Sequence, residues 1–229
     1  MLESRPEILS LIETSQEYGW VLEPDAKRVF SLAGLEVPRF TVAKTLDEAI
    51  LFAQATGYPV VAKVVSPRIV HKSDVGGVVA GIPDYGHLSE VFQRFQVMDG
   101  FLGVLVEEMV PGIELIAGAK IDLQFGPMIL LGMGGTGVEI YRDVCLKMAP
   151  LAARDVEGMI TGLKAHKLLE GYRGAEPVSK EKLTETLISF SSLVMALEDR
   201  IESIDINPLF CSSTRCVAAD ARIMLKKRA

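Results

Sequence analysis

A lysine interrupts an apolar run in the segment VVAKVV, residues 60–65. Because side chains alternate between the two faces of a strand, Lys63 shares a face with Val61 and Val65. A buried ammonium without a counter-ion is destabilised by several kcal/mol. The pattern therefore predicts either an edge-strand lysine whose amine reaches water, or a lysine that meets an anion such as a phosphate.

A histidine follows on the loop SPRIVHKSDVGG, which Pro67 opens and the pair Gly76 and Gly77 closes. His71 is one of three histidines in the chain. A lone loop histidine is usually just solvated, but imidazole titrates near neutrality and its neutral form is available as a nucleophile. Asp74, three residues later, could hold the ring in one tautomer.

Two oxygen-bearing side chains face each other near the C-terminus if the last two strands form a hairpin. A pairing of Phe210 with Val217 places Asn207 opposite Asp220, and opposite residues point to the same face. Asp205 shares that face with Asn207. One carboxylate and one amide oxygen form a sparse site, suited to Mg²⁺ that also holds nucleotide phosphates. The alternative is a polar pair close to a turn.

A glycine-rich stretch, GMGGTGVEI, occupies residues 132–140. Its glycines let backbone N–H groups approach a partner closely. It does not match the phosphate-binding pattern G-x-x-x-x-G-K-[ST], and a dinucleotide fingerprint needs a helix immediately after it. Val138 and Ile140 alternate as in a strand, so the stretch predicts a tight turn.

The elements that must position these residues are short strands in consecutive runs, separated by helices. This order predicts an α+β (α/β) fold with largely antiparallel sheets. We expect a helical lead-in over 1–18, a first subdomain over 19–108 and a second over 109–229, since Pro111 and Gly112 mark a boundary. Helices are predicted at 24–33, 45–56, 87–96, 152–171 and 179–199, and strands at 37–42, 58–66, 77–82, 104–109, 114–121, 128–133, 144–148, 201–210 and 216–225.

Composition narrows the class of partner and the compartment. The chain has 229 residues, a net charge of −6 and no basic stripe, so nucleic acid is not an expected partner. No apolar stretch is long enough to span a membrane, and the N-terminus lacks a signal-peptide core. The three cysteines form no metal or disulfide pattern, and Cys211 and Cys216 are interpreted as packing residues, so the expected location is the cytoplasm. Apolar residues at 49% indicate a surface for a partner subunit.

Three separated motifs carry a family resemblance. GYPVVAKVVSPRIVHKSDVGGV, VEEMVPGIELIAGAKIDLQFGPMILLGMGGTGVEIYRDV, and IDINPL followed by AADARI closely resemble the ATP-grasp β subunit of ADP-forming acyl-CoA (acetyl-CoA) synthetases. The similarity runs from about Pro24 to Leu225, and a more distant one is to succinyl-CoA synthetase. The resemblance implies an ATP-grasp fold of two subdomains with the nucleotide in the cleft between them.

The resemblance also implies nucleotide-binding residues. Lys63 matches the strand lysine that contacts nucleotide phosphates. The segment VEEM matches the hinge that holds adenine, so Glu107 and the backbone near Met109 would bind the base. Glu114 matches an acid that contacts the nucleotide. The implied cofactors are ATP or ADP with Mg²⁺.

The phosphoryl-transfer residues come from the same resemblance. Asn207 and Asp220 match the Mg²⁺ ligands, and Asp205 matches an acid beside the phosphoryl path. His71 matches the loop phosphohistidine of the ADP-forming synthetases. Succinyl-CoA synthetase has no histidine at the corresponding loop, so His71 points to the acetyl-CoA type.

The implied activity is acid–thiol ligation: acyl-CoA + ADP + phosphate ⇌ acid + ATP + CoA. A separate CoA-binding α subunit, in an α₂β₂ assembly, would form the acyl phosphate, and the His71 loop would relay the phosphoryl group to ADP. One alternative is a regulatory nucleotide-binding module, similar to the segment fused to protein lysine acetyltransferases. Another is a generic ATP-grasp carboxylate–amine ligase, against which His71 argues because that chemistry uses no phosphohistidine.

Overall fold

The structure is a computed structural model that describes residues 5–135 and 143–227. The chain divides into two compact units. The small unit is Pro38–Val110, and the large unit joins Met1–Val37 to Pro111–Ala229. Each unit has its own sheet and its own hydrophobic core.

Seven α-helices and eleven strands lie within the described residues. In chain order they are α1 (Arg5–Thr14), β1 (Trp20–Val21), α2 (Glu23–Leu32), β2 (Phe40–Ala43), α3 (Leu46–Thr56), β3 (Val60–Val65), β4 (Val78–Ile82), α4 (Tyr85–Gln96), β5 (Gly103–Glu108), β6 (Ile113–Asp122), β7 (Gly126–Met133), β8 (Val144–Met148), α5 (Ala153–Gly162), α6 (His166–Leu169), α7 (Lys180–Leu197), β9 (Ile201–Cys211), β10 (Cys216–Ala218) and β11 (Arg222–Leu225). Short 3₁₀ turns lie at Gln16–Tyr18, Ser73–Val75 and Tyr172–Gly174.

The small unit is an antiparallel sheet packed on two helices. Its strands lie in the order β2–β5–β3–β4. Val60, Ala62 and Val64 of β3 point to one face, where they are buried with Ala53 of α3 and Phe95 of α4. The opposite face of β3 therefore carries Val61, Lys63 and Val65.

A capping box starts α3 where the sequence predicts it. The Glu48 N–H donates to the Thr45 hydroxyl at 3.3 Å, and the Thr45 N–H donates to the Glu48 carboxylate at 3.2 Å. Gly57 ends the helix with a φ of +93°, which favours glycine. The 45–56 helix is confirmed, and it fixes the point at which the chain enters β3.

The large unit is a larger antiparallel sheet with helices on one face. In the described chain its order is β1–β11–β9–β6–β7–β8, and β10 pairs with β9. The core collects side chains from α1, α2, α5, α7 and β9, among them Ile8, Phe30, Val156, Phe190 and Ile204. The predicted fold class, α+β with antiparallel sheets, is confirmed.

The division into units differs from the predicted one at the N-terminus. The boundary near Pro111 agrees with the prediction, but residues 1–37 belong to the large unit. The physical reason is that β1 extends the large sheet, where Trp20 pairs with Met224, and that Ile8 and Ile12 lie in the large core. The predicted lead-in 1–18 is therefore part of this unit, and residues 19–37 are not part of the first subdomain.

The C-terminal hairpin has the predicted register but contains a break. Val217 pairs with Phe210 and Cys216 with Cys211, as predicted. The second strand is interrupted between β10 and β11, and the two thiols opposite each other are not joined. A hydrogen bond to Cys216, together with burial, raises the pKa of the Cys211 thiol, so Cys211 packs as a neutral thiol.

No helix in the described ranges, 5–135 and 143–227, is long and apolar enough to cross a membrane.

Candidate functional site

Lys63 lies in a central strand and forms a buried ion pair. Its Nζ is 3.3 Å from Oε2 of Glu107 on β5, and the two side chains are 6% and 2% exposed. Because Val61 lies opposite Glu107 in the ladder, Lys63 and Glu107 are diagonal neighbours on one face. This is the face of β3 that points away from the core around α3 and α4.

The structure changes both interpretations of Lys63. The edge-strand alternative is wrong because β3 is hydrogen-bonded to β4 and to β5. The argument from an unpaired charge is also wrong, since Glu107 supplies a carboxylate. An ammonium has three N–H donors, so this ion pair is compatible with a further contact to a phosphate. The phosphate contact stays a prediction.

The predicted base-binding hinge lies at the end of β5. Glu107 directs its carboxylate to Lys63, and its backbone lies between Phe40 of β2 and Val61 of β3. The next residue, Glu108, accepts from Nε of Arg39 at 2.7 Å. Met109 follows the strand and is about half exposed. Contacts of Glu107 and Met109 with a base stay predictions.

His71 is exposed on the loop between β3 and β4, and the start of that loop is anchored. The Ser66 hydroxyl donates to the Asp99 carbonyl at 2.7 Å and accepts from the Arg68 N–H at 3.1 Å. The Arg68 guanidinium also donates to the Asp99 carboxylate at 2.9 Å. These bonds attach the first residues of the loop to the segment that follows α4 and leave His71 on the surface.

The other end of the loop is anchored as tightly. The Gly77 N–H donates to the Lys72 carbonyl at 2.7 Å, and the Val64 N–H donates to the Gly77 carbonyl at 2.9 Å. Arg94 of α4 donates to the Gly76 carbonyl at 3.1 Å. A Cβ at position 77 would lie 2.7 Å from a methyl group of Val64, so this close approach requires glycine. The residues 66–77 thus form a loop with two fixed ends and His71 between them.

The C-terminal strands bring the predicted metal ligands into matching positions. Leu209 pairs with Ala218 and Asp205 with Arg222, so the register is the same on both sides of the break in the second strand. By residue numbering between these two pairs, Asn207 and Asp220 occupy opposite positions, as predicted. Asn207 is exposed and Asp220 is half-buried.

Sequence reasoning missed Arg222 as a partner of Asp205. The guanidinium Nη2 of Arg222 lies 3.0 Å from Oδ2 of Asp205, and both side chains are part-exposed. The signal was available, because the predicted hairpin register already places Arg222 opposite Asp205. The guanidinium at this position fixes the orientation of the aspartate carboxylate.

Glu114 lies at the start of β6, beside the glycine-rich stretch. The Gly134 N–H donates to its backbone carbonyl at 2.7 Å, and the Glu114 side chain is exposed. A Cβ at position 134 would be 2.7 Å from the Glu114 backbone, so a close approach explains this glycine better than a turn alone. Val138 and Ile140, predicted to alternate as in a strand, lie outside the described residues.

The donor set fits Mg²⁺ bound together with a nucleotide. Among residues 5–135 and 143–227, no group of three or more His, Cys, Asp or Glu side chains could hold a metal alone. Asn207 and Asp220 offer one amide and one carboxylate oxygen from opposite positions of a matched register. Mg²⁺ characteristically takes one or two carboxylates and completes its shell with water and substrate phosphates. The pair therefore fits this metal in a nucleotide complex.

Known proteins share both the sequence and the fold. A model of the ATP-grasp domain family matches residues 13–225. The β subunit of the ADP-forming acetate–CoA ligase I of Pyrococcus furiosus is 39% identical over 213 residues, which cover 90% of this chain and 91% of the relative. The crystal structure of PH1788 from Pyrococcus horikoshii superposes with a TM-score of 0.91 at 37% identity, covering 98% of this chain and 100% of that one.

A liganded structure is also similar. It is acetyl-coenzyme A synthetase 1 of Ca. Korarchaeum cryptofilum in complex with coenzyme A and Mg-AMPPCP, with its phosphohistidine segment pointing towards the nucleotide-binding site. The TM-score is 0.83 at 37% identity, over 96% of this chain and 100% of that chain. The antiparallel fold and the match over residues 13–225 define an ATP-grasp domain. This chain belongs to the ATP-grasp family and, within it, to the β subunits of the ADP-forming acetate–CoA ligases.

Proposed function

We propose that the chain is the nucleotide-binding β subunit of an ADP-forming acyl-CoA synthetase. Its reaction is acyl-CoA + ADP + phosphate ⇌ acid + ATP + CoA. The observation that carries the proposal is His71, an exposed histidine on a loop with two anchored ends, in a chain of this family. An exposed loop imidazole suits a group that must receive a phosphoryl group from one partner and give it to another.

The proposed relay has two balanced steps. In the first, an imidazole nitrogen of His71 bonds to phosphorus as the bond between phosphorus and the donor breaks. In the second, the β-phosphate oxygen of ADP attacks that phosphorus, the P–N bond breaks, and the neutral imidazole returns. Dividing the transfer in this way lets a short loop carry the phosphoryl group between sites that are too far apart for one in-line displacement.

The other residues would bind and orient the nucleotide. We propose that Lys63 contacts the phosphates from the small unit, with Glu107 holding its amine in place. Asn207 and Asp220 of the large unit would hold Mg²⁺, which when bound offsets the negative charge of the phosphates. Asp205, oriented by Arg222, would lie beside the phosphoryl path. Glu114 and the backbone near Met109 would contact the nucleoside.

The partner would be a CoA-binding α subunit in an α₂β₂ assembly. The support is the P. furiosus relative, which is named as a β subunit and matches over nearly its whole length. The acid and the thioester would bind mainly to the α subunit, where the acyl phosphate forms. The β subunit would then supply the nucleotide site and the His71 loop.

Labelling tests the relay directly. The chain is incubated with γ-labelled ATP and Mg²⁺, with the α partner added, and the protein is assayed for acid-labile, alkali-stable label. We expect label on the wild-type chain and none on His71→Ala. His87→Ala is the matched control, because His87 is also exposed but lies on α4, bonded to Asp84 at 2.9 Å.

The two variants separate the competing functions. Undiminished label on His71→Ala would remove His71 from the mechanism. No label on the wild-type chain, with ATP still bound, would favour a regulatory nucleotide-binding module. Loss of label on both variants would point to damage to the small unit, which the thermal unfolding of each variant detects.

A further inference from the structure

The large unit contains a buried charged pair that the nucleotide site does not explain. Lys27 of α2 is fully buried, and its Nζ lies 3.1 Å from Oε1 of Glu23, which is 2% exposed. The two residues are one helical turn apart. A buried ion pair is a weak source of stability, because desolvation of the two charges offsets their attraction. A further role for the Lys27–Glu23 pair must therefore be sought in the other contacts of the two side chains.

Lys27 reaches across the unit to one backbone carbonyl. Its Nζ donates to the carbonyl oxygen of Ala219 at 2.8 Å, 192 residues away in sequence, and this bond is buried. Ala219 immediately precedes Asp220. The Ala219 N–H donates to the Pro208 carbonyl at 3.0 Å, and Pro208 immediately follows Asn207. Ala219 is thus bonded on both sides, between the neighbours of the two proposed metal ligands.

The backbone around Ala219 lies between two strands rather than within one. Strand β10 ends at Ala218 and β11 begins at Arg222, so residues 219–221 lie between the two paired segments. A strand ladder normally fixes the direction of each side chain, and here it is interrupted at the position of Asp220. Asp220 itself accepts from the Ala221 N–H at 2.8 Å, a bond within the segment. The bond from Lys27 does tie this segment to α2.

The charge of the pair is also suited to a metal site. An isolated buried lysine close to the Asp220 segment would repel a divalent cation. Glu23 balances that charge at short range. The amine can therefore hold the Ala219 carbonyl while adding little net positive potential at the metal position. An apolar side chain of similar length could fill the space but could not donate to Ala219.

We propose that Lys27, together with Glu23, is a positioning residue for the two Mg²⁺ ligands Asn207 and Asp220. The inference rests on the proposed function, since it takes these two residues as the ligands. Lys27 contacts neither metal nor nucleotide and acts only through Ala219. Outer-shell partners of metal ligands typically change metal affinity by about 10- to 100-fold when removed.

The experiment compares ADP binding with and without a metal, on the full chain in the assembly in which it is purified. ADP affinity is measured by calorimetry in EDTA and again with Mn²⁺, and bound Mn²⁺ is followed by electron paramagnetic resonance. The test variant combines Glu23→Gln with Lys27→Met, so that neither charge is left buried alone. We expect the gain in ADP affinity from Mn²⁺ to fall by about tenfold, with affinity in EDTA unchanged.

A stability control distinguishes positioning from folding. Ser191→Ala removes a different buried bond of the same unit, in which the Leu151 N–H donates to the serine hydroxyl at 2.9 Å and no residue of 219–221 takes part. This variant should keep the full gain from Mn²⁺ even where its thermal unfolding temperature falls. A gain lost equally in both variants would overturn the inference.

Asp220→Asn in the same assay separates the two proposals. If Asp220→Asn abolishes the gain and the Glu23→Gln/Lys27→Met variant keeps it, the metal site stands and the role of Lys27 is wrong. If Asp220→Asn keeps the gain, the assignment of the metal ligands is wrong and the role of Lys27 falls with it. Lys27→Arg, which retains a donor, should recover part of the gain if the bond to Ala219 is what matters.

Discussion

At the scale of single residues, the buried pair of Lys63 and Glu107 combines a structural contact with a proposed functional one. Both groups are almost completely removed from water, so neither tolerates loss of the other. A lysine that is already held by a carboxylate has little rotamer freedom left, and it can meet a phosphate without being ordered first. The pair is therefore a feature of the small unit's fold and, in the proposed function, also a prepared phosphate contact.

This dual role gives a prediction that separates stability from binding. Lys63→Met leaves the buried Glu107 carboxylate without its lysine, and we expect a loss of about 3–5 kcal/mol in the free energy of unfolding. Adding Glu107→Gln should restore most of that stability but not the ADP affinity, because the amine is still missing. Urea unfolding and calorimetric titration with ADP measure the two quantities. A double variant that binds ADP as tightly as the wild-type chain would show that Lys63 is only structural.

At the scale of elements, the end of β7 is where packing and the site depend on one glycine. The Gly134 N–H bonds to the Glu114 carbonyl, and the two backbones are close enough that a Cβ would meet main-chain atoms at 2.7 Å. Main-chain atoms cannot move aside as a flexible side chain can. Any side chain at position 134 must therefore displace the first residues of β6.

We expect Gly134→Ala to lower both stability and nucleotide affinity. Overpacking of this kind typically destabilises by about 1–3 kcal/mol, and the shift of Glu114 should weaken ADP binding. Gly158→Ala on α5 is the matched control, because no atom lies within 4 Å of a Cβ built there and alanine favours a helix over glycine. Urea unfolding and ADP titration of both variants provide the check. Equal behaviour of the two alanine variants would contradict the argument.

The elements also show what could be predicted from the sequence. The C-terminal hairpin is local, so one assumed pair, Phe210 with Val217, sets the positions of Asn207 and Asp220. The 45–56 helix also depends on local sequence, because its capping box is formed by Thr45 and Glu48, three residues apart. Local sequence patterns therefore predicted the hairpin register and the ends of this helix correctly, whereas the helix predicted over 152–171 is two helices, α5 and α6.

Contacts between distant segments could not be predicted in this way. The partner of Lys63 depends on β5 lying beside β3, and periodicity does not reveal the order of strands in a sheet. The N-terminal segment joins the large unit because β1 pairs with β11, and the Lys27 bond to Ala219 spans 192 residues. Each of these contacts forms only when distant segments pack together, so a short stretch of sequence does not predict it. The family resemblance supplied the proposed role of His71, which is not apparent from its exposed position alone.

At the scale of the whole molecule, the direction of the strands distinguishes this chain from a Rossmann domain. Every ladder between the named strands is antiparallel. The parallel βαβ unit, the usual framework of a CoA- or dinucleotide-binding Rossmann domain, is not present in residues 5–135 and 143–227. In the proposed function, the CoA-binding α subunit would supply that framework.

We accordingly expect the reaction to require a second chain. Coexpression with a CoA-binding α subunit should give a complex whose mass, measured by light scattering, corresponds to two copies of each chain. ATP formation from acyl-CoA, ADP and phosphate should appear only in that complex, whereas the β chain alone should still bind ADP. His71→Ala should assemble normally and bind ADP, because His71 is exposed and lies between the two anchors of its loop, yet form no ATP. Full synthesis of ATP by the isolated β chain would contradict the partner requirement, and ATP synthesis by the assembled His71→Ala complex would contradict the relay.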